Sequence, residues 1–204
     1  MKMSKKESYI ETWFKIIVSE EFPEINDELL EKYSNIKEKI FSENQNASKE
    51  LIMHLESQIV PAIAMYQTLI SHMEEEKLYN LIHEIVHTHA IEKRKSFEKI
   101  LKIPFMYSLV PTIFRKVANK SFNENAGFKK KDISVSKKIW RIDMIKCPYK
   151  DFMTKYNCPN LCQCFCDSDD TVYEGLHKNL IWERTKTLGR GNDCCDFCIK
   201  LKNN

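Results

Sequence analysis

No glycine occurs before Gly127 in this chain of 204 residues, and only Gly175, Gly189 and Gly191 come after it. Glycine is the residue that most readily ends helices and opens tight turns. A first half without one is therefore constrained to helices punctuated by proline and polar residues. Its apolar residues recur at helical spacing. "SYIETWFKIIV" sets Tyr9, Ile10, Trp13, Phe14 and Ile17 on one face, and "EINDELLEKYSNIKEKIF" does the same with Ile25, Leu29, Tyr33, Ile36 and Ile40. A third helix starts near Ser48 and meets Pro61, which kinks it or starts another. "EEKLYNLIHEIVHTHAIEKRKSFEKIL" predicts a long helix with an acidic start, and Pro104 and Pro111 divide the next stretch into short helical pieces before "NENAG".

Beyond that point the period changes. "KKIWRIDMIKC" alternates, with Trp140, Ile142 and Met144 on one side. "NLIWERTKT" alternates with Leu180, Trp182 and Arg184 against Ile181, Glu183, Thr185 and Thr187. "CDFCIKL" sets Cys195, Phe197, Ile199 and Leu201 against Asp196, Cys198 and Lys200. Between the last two strands "LGRGND" reads as a hairpin connection in which Gly189 and Gly191 supply positive φ, with no strand-to-helix transition that would make a phosphate loop. "CPNLCQCFCDSDDTVYEGL" reads as a helix from Pro159 to Gly175, on which Cys162, Cys166, Asp169 and Tyr173 share a face. The pattern predicts an α+β protein of one domain, helical over residues 1–130 and packed on a small antiparallel sheet with a cysteine-rich helix over 131–204.

Basic and acidic residues number 32 and 29, a mixed balance that argues against a nucleic-acid partner. The one basic cluster, "FKKKDISVSKK", reads as a solvated loop. The first residues are charged, but Glu11 and Lys15 interrupt the apolar stretch after them and no small-residue cleavage site is evident, so a leader is not expected. No apolar run has the length to cross a bilayer. The expectation is a cytoplasmic protein with neither a nucleic-acid nor a membrane partner.

All eight cysteines lie between Cys147 and Cys198. In a reducing compartment such clustering suits thiol chemistry, metal ligation or small packing groups rather than a disulfide frame. "HEIVH", residues 83–87, fits a zinc site in which His83 and His87 bind the metal and Glu84 activates water, with Glu124 as a further ligand. Leu81, Ile82, Ile85, Val86 and Ala90 make the same stretch read as a core helix. Cys158, Cys162, Cys164 and Cys166 form a second metal reading, although on a helix Cys164 points away from its neighbours. A third reading is a thiol-dependent hydrolase with Cys166 as nucleophile and Asp169, one turn along, handling the proton. A lone carboxylate raises a thiol's pKa, so a cation must assist, and Arg184 is placed to do so. Asp169 acting on a water, with the thiols lining the pocket, is the alternative within that reading.

Cys147 after a strand, Cys166 and Asp169 in "CDSD", and Arg184, Thr185, Thr187, Gly191, Cys195, Asp196 and Phe197 in "RTKTLGRGNDCCDF" together resemble the L-2-amino-thiazoline-4-carboxylic acid hydrolase family. The resemblance is most specific over residues 135–200 and extends loosely to "IVPAIAMYQTLI". It implies a sheet like that of vinyl-reductase-type domains and hydrolysis of a cyclic amidine-type C–N bond, opening a thiazoline ring to an N-carbamoyl cysteine. On this reading Cys147, Cys166, Asp169, Arg184 and Cys195 surround one pocket, Arg184 holds the carboxylate of a small-molecule substrate, Asp196 fixes the hairpin, and no cofactor is needed. A binding module without turnover and a zinc protein are the alternatives. The chain departs from the family pattern in adding Cys158, Cys162, Cys164, Cys194 and Cys198, and in the further aspartates after Cys166 and Asp169.

Overall fold

The computed structural model describes residues 7–202. The basic start of the chain, on which the reading against a leader partly rests, lies outside the described residues. Ser8 caps the first helix, α1 (Tyr9–Glu21), its hydroxyl accepting from the N–H groups of Ile10 and Glu11. This satisfies donors a helix start otherwise leaves open. α1 buries Ile10, Phe14, Ile17 and Val18, while Trp13, expected on the same face, is 43% exposed. Phe14 stacks on Tyr33 of α2 (Asn26–Ser42) at 4.2 Å between ring centres, and its full burial contributes about 2–3 kcal/mol.

The expected helix from Ser48 begins there as α3 (Lys49–His54), passes through a π-helical turn over Leu55–Ile59 and continues as α4 (Val60–Leu69). Pro61 cannot donate to the preceding turn, and the wider π turn immediately before it absorbs the defect. α5 (Glu75–Leu101) carries Glu75 and Glu76 in its first turn and buries Leu78, Ile82, Ile85, Val86 and Ala90. α6 (Val110–Ser121) starts with Pro111 in its first turn, where no N–H is needed.

The remainder of the chain supplies four strands: β1 (Lys129–Val135), β2 (Ile139–Lys146), β3 (Leu180–Glu183) and β4 (Cys195–Leu201). They form an antiparallel sheet in the order β1-β2-β4-β3. The basic cluster expected to be a loop is therefore largely strand β1. Nearly all of its side chains are exposed, so it shows no apolar alternation, and its lysines sit on a sheet edge where charge discourages further pairing. β3 stops at Glu183, four residues short of the alternating stretch read from the sequence, because the carboxylate of Asp196 draws in the N–H groups of Thr185 and Lys186 (2.8 and 2.6 Å) and the hydroxyl of Thr185 (2.6 Å).

Between β2 and β3 lie α7 (Pro148–Lys155) and the cysteine-rich α8 (Leu161–Tyr173). α8 packs along α5, and α6 covers β2 and β4. Buried side chains of helices and sheet form one cluster, running from Ile10 to Ile199. Among the described residues no helix is long and apolar enough to cross a membrane.

Candidate active site

Four of the eight cysteines converge. Helical spacing on α8 puts Cys162 and Cys166 on one face, the end of β2 delivers Cys147, and the inward side of β4 delivers Cys195 opposite Met144. Cys166 accepts hydrogen bonds from Cys162 and Cys195 and from the backbone N–H of Gly189, and Cys162 in turn meets Cys147. The Cys195 sulfur accepts from the N–H of Leu188 at 3.2 Å. These donors, the Cys162 thiol foremost, with the nearby Arg184 guanidinium, outweigh burial and hold the Cys166 thiol well below the ordinary thiol range. Cys162 and Cys195 move the opposite way, well above the ordinary thiol range: Cys162 mainly through its bond with Cys147, Cys195 mainly through its bond with Cys166. The cluster thus holds one thiolate among thiols.

Gly189 has a role other than the expected turn geometry. Its φ is not positive, whereas Gly191 sits at φ +85°. A Cβ on Gly189 would meet the Cys166 sulfur at 2.8 Å, the backbone N of Gln163 at 3.2 Å and the carbonyl carbon of Cys162 at 3.3 Å. Glycine here lets a short 3₁₀ segment, Leu188–Arg190, lie directly against α8.

The acidic run after Cys166 is fully partnered. Asp167 accepts from Arg190 Nη2 (2.6 Å) and meets His83 Nε2 (3.3 Å). Asp170 accepts from Trp182 Nε1 (2.9 Å) and from Arg184 Nη2. Asp169 faces Arg184 Nη1 at 3.4 Å. The Arg184 side chain is 1% exposed, lies over the Phe197 ring and also donates to the carbonyl of Cys166 (2.6 Å). The expectation that it grips a substrate carboxylate therefore gives way. Its terminal nitrogens are taken by α8, its buried Nε has no partner, and its charge serves the thiolate and two carboxylates.

Asp169 opens into a cavity of about 150 Å³ between α6 and the sheet. Its walls include Phe114 and Val117 of α6, Trp140 of β2, Tyr173 of α8, Trp182 of β3 and Phe197 of β4. Although 39% of the Asp169 side chain is accessible, that surface gives onto aromatic rings. Loss of hydration raises the carboxyl to about 7; the Cys166 thiolate and Asp170 push the same way, and Arg184 and Lys93 oppose. Cys166 lies one turn earlier on α8, beneath Gly189, and is not part of the cavity wall.

The sequence pointed to Cys147, Cys166, Asp169, Arg184 and Cys195 around one pocket; the fold gathers them near one another at α8, but of the five only Asp169 lines the cavity. The sequence missed Gly189, read as turn geometry, and Asp170, for which adjacency to Asp169 was the only signal. His83 and His87 lie elsewhere, along the α5 face that meets α8, their rings 6.1 Å apart; His87 Nδ1 bonds Thr171 Oγ1 at 3.0 Å and Glu84 faces solvent. Cys164 turns toward Tyr79 of α5, away from Cys162 and Cys166. Among the described residues no three His, Cys, Asp or Glu side chains are grouped so that they could hold a metal ion.

Over residues 52–199 the chain matches the family described as L-2-amino-thiazoline-4-carboxylic acid hydrolase. The chain belongs to this family. The match begins within α3 and runs into β4, and so contains the whole sulfur cluster and the cavity. The family's name denotes a hydrolase. No curated protein and no solved structure matches the chain.

Proposed function

We propose that this protein is a thiol-dependent hydrolase that opens cyclic amidines, with Cys166 as nucleophile and Asp169 as proton carrier. One arrangement carries the reading: Cys166, surrounded by the Cys162 and Cys195 thiols, the Gly189 N–H and Arg184, all of which favour its thiolate, stands one helical turn from Asp169, whose carboxyl burial raises to about 7. Two titratable groups pushed in opposite directions supply a nucleophile and an acid at the same pH.

The Cys166 sulfur adds to the amidine carbon, forming a C–S bond. The C=N electron pair moves to nitrogen, which takes the Asp169 proton. Collapse expels the ring sulfur and leaves an isothiouronium on Cys166. Water gives a proton to the Asp169 carboxylate, adds to that carbon and displaces Cys166 as thiolate. The remaining proton on the new oxygen passes to the departed sulfur. The balance is one water consumed and one ring bond opened. It also revises the bond inferred from resemblance: an N-carbamoyl product requires the ring C–S bond to break, since breaking C–N would leave the carbamoyl group on sulfur. Arg184 acts as a positioning residue, holding α8 against β3 and balancing the charges around it. Cys162 and Cys195, as thiols, keep Cys166 ionised.

A second reading, in which Asp169 activates water directly, is favoured by one observation: Asp169, not Cys166, lines the cavity. A screen of thiazolines and cyclic amidines with acid quenching separates the two. Covalent catalysis leaves substrate mass on the peptide bearing Cys166, and Cys166→Ala loses at least about a hundredfold in rate. Undiminished turnover by Cys166→Ala refutes the nucleophile and leaves the water reading.

A further inference from the structure

The cavity is lopsided in its chemistry. Of the twelve side chains that wall it, seven are aromatic and one, Asp169, is charged; none is Lys, Arg or His. The rings pack on one another around a space that stays partly open. Phe114 stands 5.5 Å from Trp140, 4.9 Å from Tyr173 and 6.4 Å from Trp182. Trp182 lies 5.0 Å from Tyr173 and 5.8 Å from Phe197. Such a box offers negative ring faces to a cation and edges to an aryl group. Its volume, about 150 Å³, takes one benzene-sized ring, and because the space is partly open, a group joined to that ring can extend out of it.

A carboxylate entering this space would be desolvated with no cation in the wall to meet it: the Arg184 guanidinium is 1% exposed and bound to α8, and Lys93, close enough to act on Asp169, does not line the cavity. It would also approach Asp169, Asp170 and the Cys166 thiolate. An organic cation meets the reverse: a carboxylate at one end and rings around the rest.

The geometry points to a hydrophobic organic cation as the ligand of this cavity: an amidinium carrying one aryl or branched-alkyl group, its N–H pair on Asp169 and its apolar part among Phe114, Trp140, Trp182 and Phe197. A small thiazoline carboxylate is not the compound this wall selects. The inference rests on the hydrolase reading for turnover of such a ligand; binding does not depend on it.

Three probes test it: 2-amino-4-phenyl-thiazoline, its neutral analogue with methyl in place of the amino group, and 2-amino-thiazoline-4-carboxylate. Affinities are measured by calorimetry and by quenching of Trp140 and Trp182 fluorescence, at a pH above about 7, where Asp169 is ionised, and below the ionisation of the amidine. The aryl amidinium is expected to bind at least about tenfold more tightly than either comparator, the size of one desolvated cation–π contact. Phe114→Leu keeps the wall apolar while removing a central ring, and lowers affinity for the amidinium more than for the neutral analogue. Equal or tighter binding of the carboxylate overturns the inference, as does equal binding of the neutral analogue. Tight binding of the aryl amidinium without turnover upholds the cavity's preference and refutes the hydrolase reading. Turnover of the carboxylate with no affinity for the amidinium does the opposite.

Discussion

Replacing Gly189 by alanine tests the link between backbone packing and thiol chemistry. The backbone of Gly189 is not in the left-handed region, so alanine meets no conformational barrier; the obstacle is space. Its methyl group would stand 2.8 Å from the Cys166 sulfur and 3.2 and 3.3 Å from backbone atoms of α8. The 3₁₀ segment Leu188–Arg190 must therefore lift off α8. Overpacking of this kind costs about 1–3 kcal/mol. Lifting also lengthens the Gly189 N–H bond to the Cys166 thiolate. A hydrogen bond to a charged acceptor is worth about 1.5–3 kcal/mol, which moves the thiolate's midpoint up by about one to two pH units. Two assays read the change: urea unfolding for the packing, and the pH dependence of iodoacetamide alkylation at Cys166, located by peptide mass, for the ionisation. Loss of stability with an unchanged alkylation profile would show that Gly189 only fills space. No change in either would refute the contact altogether.

The same geometry sets three further outcomes. Activity that uses both the Cys166 thiolate and the Asp169 proton is lost at acid pH, well below the ordinary thiol range, as Cys166 protonates, and as pH rises through about 7; kcat/KM profiles show the upper limb disappearing in Asp169→Asn, with a rate loss of at least about a hundredfold. Arg184→Met leaves Asp169, Asp170 and the Cys166 carbonyl without their shared donor, and urea unfolding should record a loss of about 2–3 kcal/mol, below the fully buried case because both carboxylates keep some water. Asp196→Ala removes three hydrogen bonds to the chain at Thr185 and Lys186, and a drop of about 1–2 kcal/mol is expected by thermal unfolding.

Much of this arrangement was legible wherever burial imposes a period. Phe14, Leu29 and Ile82 repeat at helical spacing because each faces the core; Ile142 and Ile199 alternate because one side of the sheet does. The spacing of Cys162, Cys166 and Asp169 likewise announced a shared face. Where burial imposes nothing, the signal failed. β1 has solvent on nearly every side chain and is held by its backbone. The aromatic cavity draws on α5, α6, α8 and three strands, and no local pattern encodes a convergence of that kind. Arg184 lies one residue past the end of β3 rather than in a strand, yet its side chain turns inward as expected, and its partners depended on how α8 docks. A guanidinium facing inward reads the same in sequence whether it awaits a ligand or already holds three acceptors.

The sulfur cluster has one more consequence. Its members arrive from β2, α8 and β4, which meet only after the sheet has closed and the cysteine-rich helix has settled on it. The pH dependence of alkylation at Cys166 therefore gauges assembly as well as chemistry: a chain caught before that closure offers scattered thiols of ordinary acidity, and the acid shift of one sulfur marks the moment the C-terminal half becomes itself.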